Sequence, residues 1–210
     1  MRITFVITAY NYGLYVQRAV RSCLNQQILA DQVEVIVVDD ASDDNTEEIL
    51  QPFMSDRRFN YIRNSVNKGV AAAANIGFRL ASGQFVTRVD ADDFVAENFA
   101  FFLVNFLEFN HDLLGVACDY VLIDDNEETI ERRRPDQDPI ACGILYRKDL
   151  LVLHGLYDEN LRHCEEDELR VRLGDDYRVE RLGMPLYRYR MHNNNKTKQP
   201  EYKKVVKRFR

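Results

Sequence analysis

Three groups of acidic side chains stand where an apolar run gives way to a turn or where a helix begins. They are Asp39 with Asp40, Asp90 with Asp92 and Asp93, and Glu165 with Glu166, Asp167 and Glu168. Carboxylates gathered at such points can hold a hard divalent cation, receive donors from a nucleotide, or take a proton from a hydroxyl. Number alone decides nothing: with 20 aspartates in 210 residues, chance yields about two D-x-D triplets, and the sequence has two, Asp90/Asp92 and Asp136/Asp138. Context separates them. Asp90 and Asp92 directly follow the apolar segment Phe85 to Val89, and residues two apart in an extended chain point to the same side, so both can address one bound species. Asp136 and Asp138 lie in a proline-containing charged stretch and read as a solvated loop. The plain alternative for the first pair is turn carboxylates capping the next helix, and for Glu165 to Glu168 it is a complement to the helix macrodipole.

The elements that must position these acids alternate in type. Arg2 to Thr8 is β-branched and aromatic and predicts a strand. From Tyr15 to Gln26, Val16, Ala19, Val20, Cys23 and Leu24 draw one helical stripe. Val33 to Val38 is a continuous apolar run, as expected of a strand covered on both faces of a parallel sheet. Thr46 to Met54 predicts a short helix, Phe59 to Asn64 a strand, the alanine-rich Val70 to Ala81 a helix, and Phe85 to Val89 a further strand. This alternation predicts an α/β fold with a mainly parallel central sheet and flanking helices, in which ligands bind beyond the carboxyl ends of the strands. Further on, Glu97 to Phe109 predicts a phenylalanine-rich helix that packs into the core. Val116 to Ile123 predicts a strand, Asp124 to Pro139 a charged loop, Ala141 to Tyr146 a strand, Glu165 to Leu173 a helix, and Tyr177 to Leu182 a last strand.

Length and charge narrow the class. A chain of 210 residues is one domain with an appendage rather than an assembly of several. The formal net charge of -6 does not suit a protein that coats nucleic acid. The charge is uneven: Arg178 to Arg210 has 11 basic against 2 acidic residues, the rest 17 against 32. Cys23, Cys118, Cys142 and Cys164 form no C-x-x-C pair, so neither a zinc site nor a disulfide framework is expected and a reducing compartment is. No signal peptide or membrane-spanning run of about 20 apolar residues is evident. A soluble, cytoplasmic chain is therefore expected.

The order of motifs resembles the family 2 glycosyltransferases. Thr8-Ala9-Tyr10-Asn11 follows the first strand and Val37-Val38-Asp39-Asp40-Ala41-Ser42 the second. Asn67-Lys68-Gly69 leads to Ala73-Ala74-Asn75-Ile76-Gly77, and then come Asp90-Ala91-Asp92-Asp93 and an acidic cluster running into Leu169-Arg170-Val171-Arg172-Leu173. The resemblance covers nearly the whole chain and implies a single-domain GT-A (Rossmann-like) fold over residues 1–195. Residues 1–93 would form the nucleotide-binding half, residues 94–195 the acceptor-binding half, and residues 196–210 a basic tail. It also implies a nucleotide-sugar donor, a Mn2+ or Mg2+ ion, and transfer with inversion to a hydroxyl of a glycan or lipid-linked acceptor. UDP is the expected carrier, because an ionised carboxylate accepts from a uracil imide N–H.

By that resemblance Thr8, Tyr10 and Asn11 line the base pocket, Asp40 accepts from the base, and Lys68 adds positive charge near the donor. Asp92 binds the metal, Asp90 sits near the ribose or the metal, and His192 reaches the metal or the diphosphate. The general base falls at Glu166 when the helix is aligned without gaps from Leu169, which is the preferred reading, and at Asp167 when the Glu-Asp dipeptide is matched. Ala74 departs from the pattern, since many relatives carry arginine there. Two other readings stand beside this one: a sugar nucleotidyltransferase, and a non-catalytic sugar-nucleotide-binding module of a larger synthase. The seven Lys and Arg residues from Lys196 onward suit a solvated tail or contact with an anionic membrane at its inner face.

Overall fold

In the computed structural model, which describes residues 3–192 together with Asn195 and Val206, the first strand β1 spans Ile3–Ala9 and all seven of its residues are buried. So are all seven of β2, Val33–Asp39. Such strands need cover on both faces, and helices supply it. One layer contains α1 (Gly13–Leu24) and α4 (Phe99–Phe109), whose Val16, Val20, Phe99 and Leu103 share a core with Phe5 and Ile7 of β1. The other contains α3 (Val70–Leu80), which places Ala71, Ala74 and Phe78 against Val6, Ile36 and Val38.

The remaining elements are α2 (Thr46–Leu50), β3 (Phe59–Arg63), β4 (Phe85–Asp90), β5 (Phe94–Val95), β6 (Gly115–Ile123), β7 (Thr129–Arg133), β8 (Ile144–Arg147), α5 (Lys148–Leu153), α6 (Glu165–Leu173) and β9 (Val179–Arg190). They form one curled sheet in the order β3-β2-β1-β4-β8-β6-β9-β5, with β7 added on β6. The strands β3, β2, β1 and β4 are mutually parallel. Beyond β4 the sheet is mixed: β8 runs antiparallel to β4 and β6, whereas β9 runs parallel to β6. No helix among the described residues is long and apolar enough to cross a membrane.

Three sequence expectations change. The charged loop expected over Asp124 to Pro139 contains β7, whose first four residues are all exposed. An edge strand with no buried face has no alternation to read, and pairing with β6 makes it a strand. The last strand extends to Arg190 instead of ending at Leu182: Gly183 and Pro185 resemble a stop, but the ladder with β6 slips in register at that point and resumes. In α4, Phe99 is buried against Phe5 with ring centroids 5.9 Å apart, and Leu103 and Leu107 complete the buried stripe, whereas Phe109 is 84% exposed.

Close packing of α3 on the sheet depends on Gly77, where an added Cβ would sit 2.2 Å from Val6 Cγ1. Val6 is β-branched and confined by its strand, so it cannot swing clear. Gly77→Ala is therefore expected to lower stability by about 1–3 kcal/mol through overpacking, despite alanine's better helix propensity. A shift of the urea midpoint to lower concentration, at unchanged slope, is the check.

Candidate active site

The parallel register brings the carboxyl ends of three strands together: Thr8 lies opposite Val38 on one side and Asp90 on the other. The loops beyond these ends are interlocked. Asn11, at φ 59°, donates its N–H to Ser42 Oγ (2.9 Å) and accepts from the Asp43 N–H (2.9 Å), while the Gly13 N–H donates to Asp44 Oδ2 (2.9 Å). The two neighbouring aspartates then part in role. Asp39 is fully buried and accepts from the Ser42 N–H (2.8 Å) and the Tyr61 hydroxyl (2.6 Å), which fixes the loop. Asp40 lines a cavity and accepts from Asn64 Nδ2 (2.8 Å), the Lys68 N–H (2.9 Å) and the Gly69 N–H (2.7 Å). A carboxylate offers about four acceptor positions, so about one remains.

The turn after β4 concentrates charge. Asp90 accepts from the Thr8 hydroxyl at 3.4 Å and has Arg88 Nε 3.1 Å from its Oδ1. Arg88, only 5% exposed, also pairs with Glu165 and places Nη2 3.3 Å from Cys142 Sγ, so one guanidinium ties β4 to the start of α6. Asp92 Oδ2 lies 2.9 Å from His192 Nε2. Asp93 accepts from the Tyr187 hydroxyl (2.8 Å) and the Arg190 N–H (2.8 Å). Burial first, then the charges of Asp92 and Asp90, hold the Asp93 carboxyl well above its usual range. The Tyr12 phenol is pushed up by burial and then by Asp92, Asp90 and Asp93. Arg190 supports the turn from behind, donating from Nε to the Asp92 carbonyl (3.0 Å), while its Nη2 lies 3.0 Å from Glu127 Oε1.

Two donor sets here can be tested against a divalent cation. Asp90, Asp93 and Cys142 have ligand atoms within 4.8 Å of one another. Both Asp93 oxygens are already engaged, however, and the Cys142 thiol is pushed up by burial. A protonated soft sulfur is a poor ligand for Mn2+ or Mg2+. Asp92 and His192, in direct contact, offer the oxygen and imidazole donors that manganese accepts, whereas the ligand atoms of Asp90 gather with those of Asp93 and Cys142 instead. By donor type this pair suits the ion better, with Asp92 Oδ2 and His192 Nε2 spent on each other in its absence.

Helix α6 starts abruptly from Cys164, at φ 63°, and its first turn is acidic. Glu166 is caged: the hydroxyls of Tyr146 (2.5 Å) and Tyr177 (2.5 Å) donate to one oxygen and that of Tyr157 (2.7 Å) to the other. Burial raises its pKa and the three hydroxyls oppose the rise. Asp167, one residue on, lines the same cavity and lies 3.5 Å from Arg170 Nη1. That cavity, of about 370 Å³, also takes in Glu166, Thr8, Tyr10, Asp40, Asp90 and Asp92. Asn11, His192 and the exposed Lys68 are not among its lining residues; Asn11 locks loops, His192 meets Asp92, and Lys68 contributes its backbone amide to Asp40. The tail from Lys196, on which the membrane expectation rests, lies outside the described residues apart from Val206.

Sequence reasoning passed over Arg88, Tyr12 and the three tyrosines. Arg88 carried a readable signal, a lone charge inside the apolar segment Phe85 to Val89, which is costly to bury unless partnered. The tyrosines come from three separate elements and share no sequence pattern.

Comparison with known proteins bears on the family and the fold. An uncharacterised glycosyltransferase of Haemophilus influenzae is 36% identical over 110 residues, which make up 52% of this chain and 43% of that protein, so the chain spans less than half of that relative's length. S. aureus TarS 1–349 in complex with UDP-GlcNAc superposes with a TM-score of 0.83 at 18% identity, covering 100% of this chain and 65% of that one. The mannosyltransferase PcManGT from Pyrobaculum calidifontis, in complex with GDP-Man and Mn2+, does so with a TM-score of 0.74 at 18% identity, covering 92% and 58%. These two structures share the fold, which is GT-A. The family described as glycosyl transferase family 2 matches residues 4–162, and the chain belongs to it.

Proposed function

We propose that this chain transfers a sugar, with inversion, from a UDP-linked donor to a hydroxyl of a glycan or lipid-linked acceptor. Residues 1–93 would bind the nucleotide and residues 94–195 the acceptor. The observation that carries the reading is one cavity lined by Asp40, Asp90, Asp92 and Asp167, with His192 Nε2 2.9 Å from Asp92. Thr8 and Tyr10 flank the base, Asn11 and the Lys68 amide hold the loops around it, and Asp40 accepts from it. Uracil suits Asp40 because its single imide N–H matches the one acceptor position left, whereas guanine presents two adjacent donors on the corresponding edge.

Asp92, His192 and Asp90 would hold Mn2+ or Mg2+, whose chemistry is to offset the charge that develops on a departing diphosphate. The acceptor oxygen forms a bond to the anomeric carbon as the bond from that carbon to the diphosphate oxygen breaks, and Asp167 receives the acceptor's proton. Glu166, with both oxygens bound, holds the start of α6 in place.

A thermal-shift titration tests the donor assignment. UDP with manganese is expected to raise Tm, since a ligand at one hundred times its Kd stabilises by about 2.7 kcal/mol, and GDP is expected to do so less. If neither nucleotide moves Tm, the donor reading fails.

A further inference from the structure

The cavity is lined by acids from three loops, yet the donor proposed for it carries a diphosphate. Its lining cations are Arg88 and Arg162. Arg88 is already shared between Asp90 and Glu165 and has no charge to spare. Arg162 differs: it is exposed at the cavity and forms no ion pair with any described residue. Its one side-chain hydrogen bond runs from Nη1 to a neutral acceptor, Asn67 Oδ1, at 3.2 Å. A guanidinium has five N–H donors in a planar fork matched to phosphate, so most of that fork stays open.

The side chain also lies against a loop of the site. A Cβ added at Gly69 would meet Arg162 Nη1 at 2.9 Å and Cδ at 3.3 Å, so the arginine lies flat over the α-carbon of a glycine whose φ is +95°. The same Gly69 donates its N–H to Asp40. Arg162 thus lies over the loop whose amides meet the proposed base acceptor, with its charge unpaired among the described residues.

We infer that Arg162 is a specificity-determining cation that binds the donor's diphosphate by charge-assisted hydrogen bonds. This rests on the donor reading above, and the ligand class is a nucleoside diphosphate. The arginine separates uridine diphosphate from uridine, since Asp40 reads the base whether or not phosphate is attached.

Calorimetry with manganese present tests it, using UDP, uridine and inorganic pyrophosphate against the wild type, Arg162→Gln and Arg162→Lys. Glutamine keeps a donor for Asn67 and removes the charge. It is expected to weaken UDP and pyrophosphate about tenfold or more and to leave uridine unchanged, with lysine recovering part of the loss. Equal weakening of UDP and uridine would mean that Arg162 merely props the loop, and unchanged UDP and pyrophosphate affinity would mean that it binds neither; either result overturns the inference. Should the wild type bind no uridine compound, the donor reading falls, and the pyrophosphate arm still decides the arginine's role.

Discussion

Asp167→Asn is expected to lower kcat by about 10²- to 10⁴-fold, the usual worth of a positioned general base, while leaving UDP affinity within about twofold of wild type. Asparagine matches aspartate in shape and can still meet Arg170, so the helix start should be undisturbed. Glu166→Gln is expected to behave in the opposite way. Glu166 accepts from three tyrosine hydroxyls on its two oxygens, and an amide offers one oxygen and an NH2 that must donate. At least one tyrosine then loses its acceptor in a buried site, at a cost of about 1–3 kcal/mol in stability, while transfer by the folded fraction persists. The pH dependence adds a separate signature. Burial holds the folded pKa of Glu166 above its ordinary value, so its contribution to stability is present below the ordinary glutamate range and fades as pH rises through the raised pKa. The Glu166→Gln variant, with no proton to lose there, should show a flatter stability profile over that interval. Normal turnover by Asp167→Asn, together with loss of turnover by well-folded Glu166→Gln, would reverse the two roles.

Asp92→Asn is expected to remove the manganese-dependent part of UDP binding and to lower kcat/KM by about 10²- to 10³-fold, as befits loss of several kcal/mol of charge stabilisation. The substitution keeps an oxygen for His192 but not the charge, so the turn should persist and Tm without ligand should change little. Binding and transfer by Asp92→Asn at wild-type levels, with the same response to manganese, would place the ion elsewhere. The set Asp90, Asp93 and Cys142 would be the next to examine.

What could be read from the chain was whatever its local periodicity encodes. The buried runs of β1 and β2 and the stripe of α1 stand out because a strand covered on both faces and a helix covered on one leave different spacings of apolar residues. The acids at Asp40, Asp90 and Asp92 stood out by following such runs. The caging of Glu166, on which the proposed division of labour with Asp167 rests, could not be read, because it depends on Tyr146 in β8, Tyr157 after α5 and Tyr177 before β9, which only the tertiary fold gathers. Likewise β7 has no apolar face, and the pairing that makes it a strand lies in β6. The separate parts of Asp39 and Asp40 were half legible: Asp40 was expected to meet the ligand, but the three donors that occupy it come from positions 64 to 69.

The long β9 has a consequence for the order of events during synthesis. Asp93 is held by Tyr187 and Asp92 meets His192, partners 94 and 100 residues downstream. While the ribosome is still translating the middle of the chain, the emerging parallel strands already carry a crowded acidic turn with neither its tyrosine nor its imidazole. Closing so wide a loop is slow relative to forming the local crossovers, so the nascent polypeptide completes this acidic turn only after β9 has emerged.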